Sequence, residues 1–356
     1  VVCHHDCACV VDMMQQFCHR AQQALSGSNQ YITSDWNMTE SLHHDRKVAI
    51  ILYTISNHLK AAPEKTFVSP YRPASLPAHE EAATLCEGAL QPALTTIDNM
   101  VQTNILGKLA ASLNQRLATL LAKMHLGVYL GRSEDESSTF CQRQISPALD
   151  TIAERIMTRF PPPFATYLAS SVTSFLIYTF CSNMALLRPL GEASRLHITQ
   201  DLADLELALE QFMSKTAATS LSQVGKGKPY AELRAVRQML FWNGLSSAGK
   251  SGNDLSRMLL REAWIRSMRP STVLHYLFSY APSLLTSPHH ARRVKAEEYA
   301  QALVSWEGEP DSDGEETAWM NTLTCCDSYQ QRSGTAAASE DGDARVAALL
   351  IALGPE

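Results

Sequence analysis

Residues 196–212 read LHITQDLADLELALEQF, and the spacing of this stretch decides the fold class. Ile198, Leu202, Leu205, Leu209 and Phe212 follow one another by alternating steps of four and three. That rhythm lines five large apolar side chains along one stripe of an α-helix, and the stripe wants a partner helix. Asp201, Asp204, Glu206 and Glu210 fall off the stripe and are expected to keep the other face wet. The same period recurs outward along the chain. Val48, Ile51, Leu52, Ile55 and Leu59 form a second stripe, and Leu106, Leu109, Leu113, Leu120 and Met124 a third. Val294, Tyr299, Leu303 and Trp306 hint at a fourth. No sustained two-residue alternation and no Asn-Gly hairpin signal competes with them. The sequence therefore predicts an all-α protein, an elongated rod of successive antiparallel helical bundles with roughly ten helices.

Start and stop signals divide these helices. Ser146-Pro147 and Ser287-Pro288 each place a capping hydroxyl ahead of a proline suited to the first helical position. Pro161, Pro162 and Pro163 must end any helix that carries Ile152 to Phe160, because proline lacks the amide donor. Pro189 followed by Gly191 closes the apolar helix around Phe175 and resets the chain before the acidic one. The expected organisation is a helical bundle over 1–160 and C-terminal bundles over 161–356, with a seam near 189–191. No repeat of fixed period emerges.

Composition narrows the function classes. With 45% apolar and 19% charged residues among 356, the chain can bury a core without staples. Thirty basic against 36 acidic residues leave a net charge of −6, so the summed field that gathers nucleic acid is missing. Nine cysteines at irregular spacing read as reduced thiols rather than a disulfide framework. The longest apolar stretch, Leu168 to Leu187, is broken by Ser170, Ser171, Thr173, Ser174, Ser182 and Asn183. A soluble, cytosol-facing protein is the expectation, and Val1 in place of an initiator methionine reads as a piece of a longer chain.

Several motifs invite a chemical reading. Residues 244–251, GLSSAGKS, match the phosphate-loop pattern from Gly244 to Ser251, with Lys250 as the phosphate-binding residue. That pattern works where a strand feeds the loop, whereas Leu233, Val236, Met239 and Leu240 before it have helical spacing, so a Gly/Ser connection between helices is the preferred reading. Cys3, Cys7 and His19, in the Cys/His cluster of residues 3–19, could supply zinc ligands, but lack the spacing of a zinc knuckle; buried thiols on a first helix are preferred. The neighbouring pairs His43-His44 and His289-His290 point about 100° apart on a helix and read as solvated surface. Arg292, Arg293 and Lys295 make a short basic face. No metal, cofactor or catalytic constellation is indicated.

Residues 184–196, MALLRPLGEASRL, run into the acidic helix carrying Asp201 and Glu206. Together they resemble the C-terminal region of the fifth subunit of the conserved oligomeric Golgi complex. There an L-(I/L)-R-P-L-G-E turn precedes an acidic helix of the D-x-x-x-x-E type. The matching positions here are Leu187, Arg188, Pro189, Leu190, Gly191, Glu192, Asp201 and Glu206. The resemblance implies a helical-rod subunit of a vesicle-tethering complex on the cytosolic face of Golgi membranes, acting in intra-Golgi retrograde transport and Golgi organisation. It further implies peripheral membrane association, sister subunits as partners, notably the seventh, and work with SNAREs and Rab GTPases. No enzymatic activity and no nucleic acid are implied. Arg188 is expected to tie down nearby carbonyls or an acidic residue, while Pro189 and Gly191 set the angle between bundles.

Overall fold

The computed structural model describes residues 2–68, 77–126, 138–188, 190–217, 228–244, 250–280, 286–307 and 349–350. Among them the regular structure is helical, and one isolated bridge between Ile32 and Met38 is the only β pairing. In chain order the described α-helices begin with α1 (Val2–Ala24), α2 (Glu40–Pro63), α3 (Pro77–Asn99), α4 (Lys108–Leu121), α5 (Ser146–Arg155), α6 (Pro162–Ala185) and α7 (Glu192–Ala217). After them come α8 (Lys228–Leu240), α9 (Gly252–Arg261), α10 (Pro270–Tyr280), α11 (Pro288–Ala291) and α12 (Ala296–Glu307). The all-α fold class holds. Two compact units interleave along the sequence: Val1–Leu113 with Thr151–Leu168, and Asn114–Asp150 with Ala169–Glu356.

In the first unit α3 packs against both α1 and α2. Thr39, in extended conformation, caps α2 by accepting from the Leu42 amide, and Glu40 adds an acid to the first turn, where the helix dipole favours it. The face that α2 buries runs through Leu42, Asp45, Ala49, Leu52 and Ser56. This corrects the stripe drawn through Val48, Ile51 and Ile55, for Ile51 is 55% exposed. The reason is a buried carboxylate. Asp45 accepts from the Ser26 amide at 2.9 Å, the Ser26 hydroxyl at 2.7 Å and the Tyr31 hydroxyl at 2.6 Å. Three donors meet the desolvation cost of the charge, so a polar residue holds a core position and rotates the apolar stripe away from the simple count.

In the second unit the seam of α7 lies where its spacing put it. Ile198, Leu202, Leu205, Leu209 and Phe212 are each 1% exposed or less. Burying such a side chain contributes on the order of 1.5–3 kcal/mol. Residues 169–185 of α6 are also core. By length and composition α6 is the one described helix that could cross a membrane. Its Thr173, Thr179, Ser182 and Asn183 are buried among neighbours, and Asn183 donates to the Thr179 carbonyl at 2.7 Å, as in a core helix.

The helix expected to run from Ile152 to the proline triplet stops earlier, at Arg155; a 3-10 turn over Met157–Arg159 leads to an extended Phe160, and α6 begins at Pro162. The start expected at Ser146 is earlier. Ser146 has helical dihedrals and continues a π-helical turn over Cys141–Ile145, while the Thr139 hydroxyl accepts from the Gln142 amide at 3.2 Å.

The seam predicts an asymmetry across α7. Leu205→Ala should lower the unfolding free energy by about 2–5 kcal/mol, the usual range for a buried leucine. Leu207→Ala, on the exposed face, should change it by less than about 0.5 kcal/mol. Equilibrium urea unfolding of the two variants checks this.

Candidate functional site: the turn before α7 and the charges buried behind it

Between α6 and α7 the chain turns through Leu187, Arg188, Leu190 and Gly191; Pro189 lies outside the described residues. Leu187 and Leu190 are buried, whereas Gly191 and Glu192 face solvent. Arg188 Nη2 donates to the Phe278 carbonyl at 2.9 Å, in the last turn of α10. Ser279 Oγ meanwhile donates to the Ala185 carbonyl at 2.6 Å. Two hydrogen bonds thus tie the end of α6 and the following turn to the end of α10. Gly191 has no left-handed backbone, and a Cβ added there would meet nothing within 4 Å, so its lack of a side chain is not forced by packing. Glu192 opens α7 as a first-turn acid.

Asp201, Asp204 and Glu206 of α7 are structural rather than solvated. Asp201 is fully buried and accepts from the Cys141 amide at 2.7 Å. One turn on, Asp204 accepts from the Thr139 hydroxyl at 2.6 Å and from Gln142 Nε2 at 3.0 Å. These two carboxylates, three residues apart on one helix, hold the N-terminal end of the helical segment that starts near Phe140, where unsatisfied amides and the dipole favour negative charge. Burial first, and Asp201 second, push the Cys141 thiol well above its usual range, which keeps it protonated and unreactive. Glu206 joins α7 to α8: it accepts from the Tyr230 hydroxyl at 2.9 Å and Arg237 Nη2 at 3.0 Å, with Arg234 Nε at 3.8 Å. Partial desolvation, then the adjoining Glu206 carboxylate, raise the Tyr230 hydroxyl.

Deeper in the same unit lies a charge pair. Arg269 Nε approaches both Glu232 oxygens, at 2.8 and 3.0 Å, with both side chains buried. Arg269 Nη2 donates to the Tyr178 carbonyl at 2.9 Å and to Ser182 Oγ at 3.2 Å, while Thr272 Oγ1 donates to Glu232. The guanidinium also lies 4.3 Å from the centre of the Tyr178 ring. Each end of the pair is therefore satisfied by several groups. The sequence does carry a signal for it, because Glu232 occupies the same helical stripe as Val236 and Met239.

A histidine cluster completes the polar interior. His275 Nδ1 donates to the Ser271 carbonyl, so its Nε2 accepts from the Tyr299 hydroxyl at 2.9 Å. His289 is buried against the Ser287 hydroxyl, which corrects its reading as solvated surface; only His290 is exposed. His125 Nε2 meets Asn183 Oδ1 at 2.8 Å. Burial pushes His275 and His289 down to about 4, and lowers His125. These rings are neutral packing elements at neutral pH.

The remaining motifs take structural places. Residues 245–249 of the phosphate-loop match lie outside the described residues. The chain enters it from helix α8, not from a strand, and Ser251 Oγ caps α9 by accepting from the Asp254 amide. A Cβ on Gly244 would collide with the Trp242 ring, which accounts for that glycine by packing. The side chains of Cys3 and Cys7 are outside the description, and His19 is exposed beside Gln23. Among the described residues no group of three or more His, Cys, Asp or Glu side chains is placed to hold a metal. Arg292, Arg293 and Lys295 are exposed.

Comparison with known proteins gives the chain its relatives. It is 27% identical over 164 residues to Conserved oligomeric Golgi complex subunit 5 of Arabidopsis thaliana, covering 46% of this chain and 17% of that protein. It is 22% identical over 232 residues to the Mus musculus protein of the same name, covering 63% of this chain and 26% of that one. The match thus spans about a sixth to a quarter of these relatives' length. No family model and no solved structure matches. The chain is similar to the fifth subunit of this Golgi complex.

Two tests follow from the buried charges. Glu232→Ala should cost about 3–5 kcal/mol by stranding Arg269, and replacing both partners by methionine should cost less than that single change; chemical unfolding measures both. An unfolded histidine takes its proton near 6.5, but folded His275 only near 4. Between these values the unfolded state binds more protons, so stability should fall as pH falls from 6.5 towards 4. The urea midpoint measured at pH 7 and pH 5 should drop, and His275→Gln should show a shallower drop.

Proposed function

We propose that the chain is part of a non-enzymatic subunit of a Golgi vesicle-tethering complex. It would act at the cytosolic face of Golgi membranes, as a peripheral component, in intra-Golgi retrograde transport and Golgi organisation. The observation that carries this reading is the similarity to the fifth subunit from a plant and from a mammal. The interior is compatible with it. Carboxylates such as Asp45, Asp201 and Glu232 are engaged in tying chain segments together, Asp45 to the loop at Ser26 and Tyr31, which suits a scaffold better than acid–base chemistry.

In this reading the chain contributes helices that sister subunits dock against, the seventh foremost, with SNAREs and Rab GTPases as further contacts. It needs no cofactor. The turn from Leu187 to Glu192 serves as a structural joint: Arg188 fixes the end of α6 to α10, and α7 leaves from there as a seam between successive bundles. Asp201 and Glu206 then anchor α7 to the helical segment at Phe140 and to α8.

Purified chain mixed with the purified seventh subunit at near-physiological salt should co-elute as one complex on size exclusion. Separate elution at micromolar concentrations would contradict the reading.

A further inference from the structure

Helices α11 and α12 are held down around one tyrosine and three uncharged imidazoles. Tyr299 of α12 is buried between His275 of α10 and His289 of α11, with ring centroids 5.3 and 6.4 Å away. His125, the third ring, ends the Ala122–His125 turn that packs against α12. The apolar hold of α12 is small. Tyr299, Ala300 and Leu303 form one cluster with Leu186, just past the end of α6.

Every hydrogen-bond partner of these rings is a neutral group. His275 meets the Ser271 carbonyl and the Tyr299 hydroxyl, His289 the Ser287 hydroxyl, and His125 the Asn183 amide oxygen. The charges nearby mostly oppose a second proton. Arg188 faces His275 and His289, Arg269 faces His275, and the His290 ring lies 4.2 Å from that of His289. Among the acids, Glu232 is taken up by Arg269, and Glu297 of α12 favours a charge on His125 against the burial that opposes one. Glu298, Arg292, Arg293 and Lys295 are exposed on the α11–α12 segment itself.

A proton on His275 Nε2 would turn the acceptor of the Tyr299 hydroxyl into a donor and set a cation beside two guanidiniums. A proton on His289 would set one beside Arg188 and His290. With α11 and α12 lifted away, the rings meet water and recover their ordinary affinity, so lifting takes up protons. We propose that α11 and α12 form a proton-released clasp: acidification opens them as a unit, uncovering Leu186 beside the Arg188 joint, while the α7 seam stays closed.

Burial first, and the neighbouring cations after it, bring folded His275 and His289 down to about 4, against about 6.5 for a solvated histidine. Two protons gained over that interval raise the opening constant about a hundredfold between pH 7 and pH 5, where carboxylates remain mostly ionised. Hydrogen exchange of the intact chain at the two pH values, with each rate divided by that of an unprotected amide, reads this opening. At pH 7 the amides of residues 299–303 should exchange ahead of residues 198–213. At pH 5 their protection should be about a hundredfold lower, and still below that of α7. His275→Gln combined with His289→Gln should cut the pH response to less than about fivefold. Should that variant fail to fold, the parent at the two pH values decides. Equal protection of 299–303 at both pH values would overturn the proposal, as would exchange of α12 and α7 as one group, or an undiminished pH response in the folded double variant.

Discussion

The second unit depends on keeping one buried carboxylate satisfied inside an apolar seam. Asp201 sits within the stripe that buries Ile198, Leu202, Leu205, Leu209 and Phe212, and its oxygen receives the Cys141 amide at 2.7 Å. Leaving that charge without a donor would offset much of what the leucines gain, because an unpaired buried charge costs several kcal/mol. The seam and the helical start at Phe140 therefore have to form together. Asp204 strengthens the link by taking the Thr139 hydroxyl. Two acids and five apolar side chains on one helix thus fix where a distant segment begins.

The same device recurs. Asp45 in the first unit is held by Ser26 and Tyr31, and Glu232 by Arg269 and Thr272. In each case a charge joins segments far apart in sequence. Apolar stripes say only that helices pack; fully satisfied buried charges say in which register, since a slipped arrangement would leave the charge alone. This is the specificity that packed helices have to find in their side chains.

The helical class was legible because a 3-4 rhythm of leucines survives any detail of tertiary packing, and the seam of α7 is the clearest case. The stripe of α2 was legible only to within one position, since its register is set by Asp45, whose donors Ser26 and Tyr31 lie in a loop that no periodicity reveals. The solvated role expected for Asp201 fails for the same reason: its donor is 60 residues upstream. His289 reads as surface from its neighbour His290, yet burial depends on α12 supplying Tyr299 nearby, with ring centroids 6.4 Å apart. The start near Phe140 was hidden because Ser146-Pro147 offers a local cap that the more distant Asp201 and Thr139 outcompete. Glu232 could have been found, as an acid inside an apolar stripe.

Native-state hydrogen exchange of the intact chain tests the central claim most directly, because it reads the stability of each amide separately. The account predicts that the amides of residues 198–213 exchange last in the second unit, and that the Cys141 amide exchanges with them as one cooperative group. Exchange of the Cys141 amide well ahead of α7, as though the segment at 140 opened alone, would contradict it.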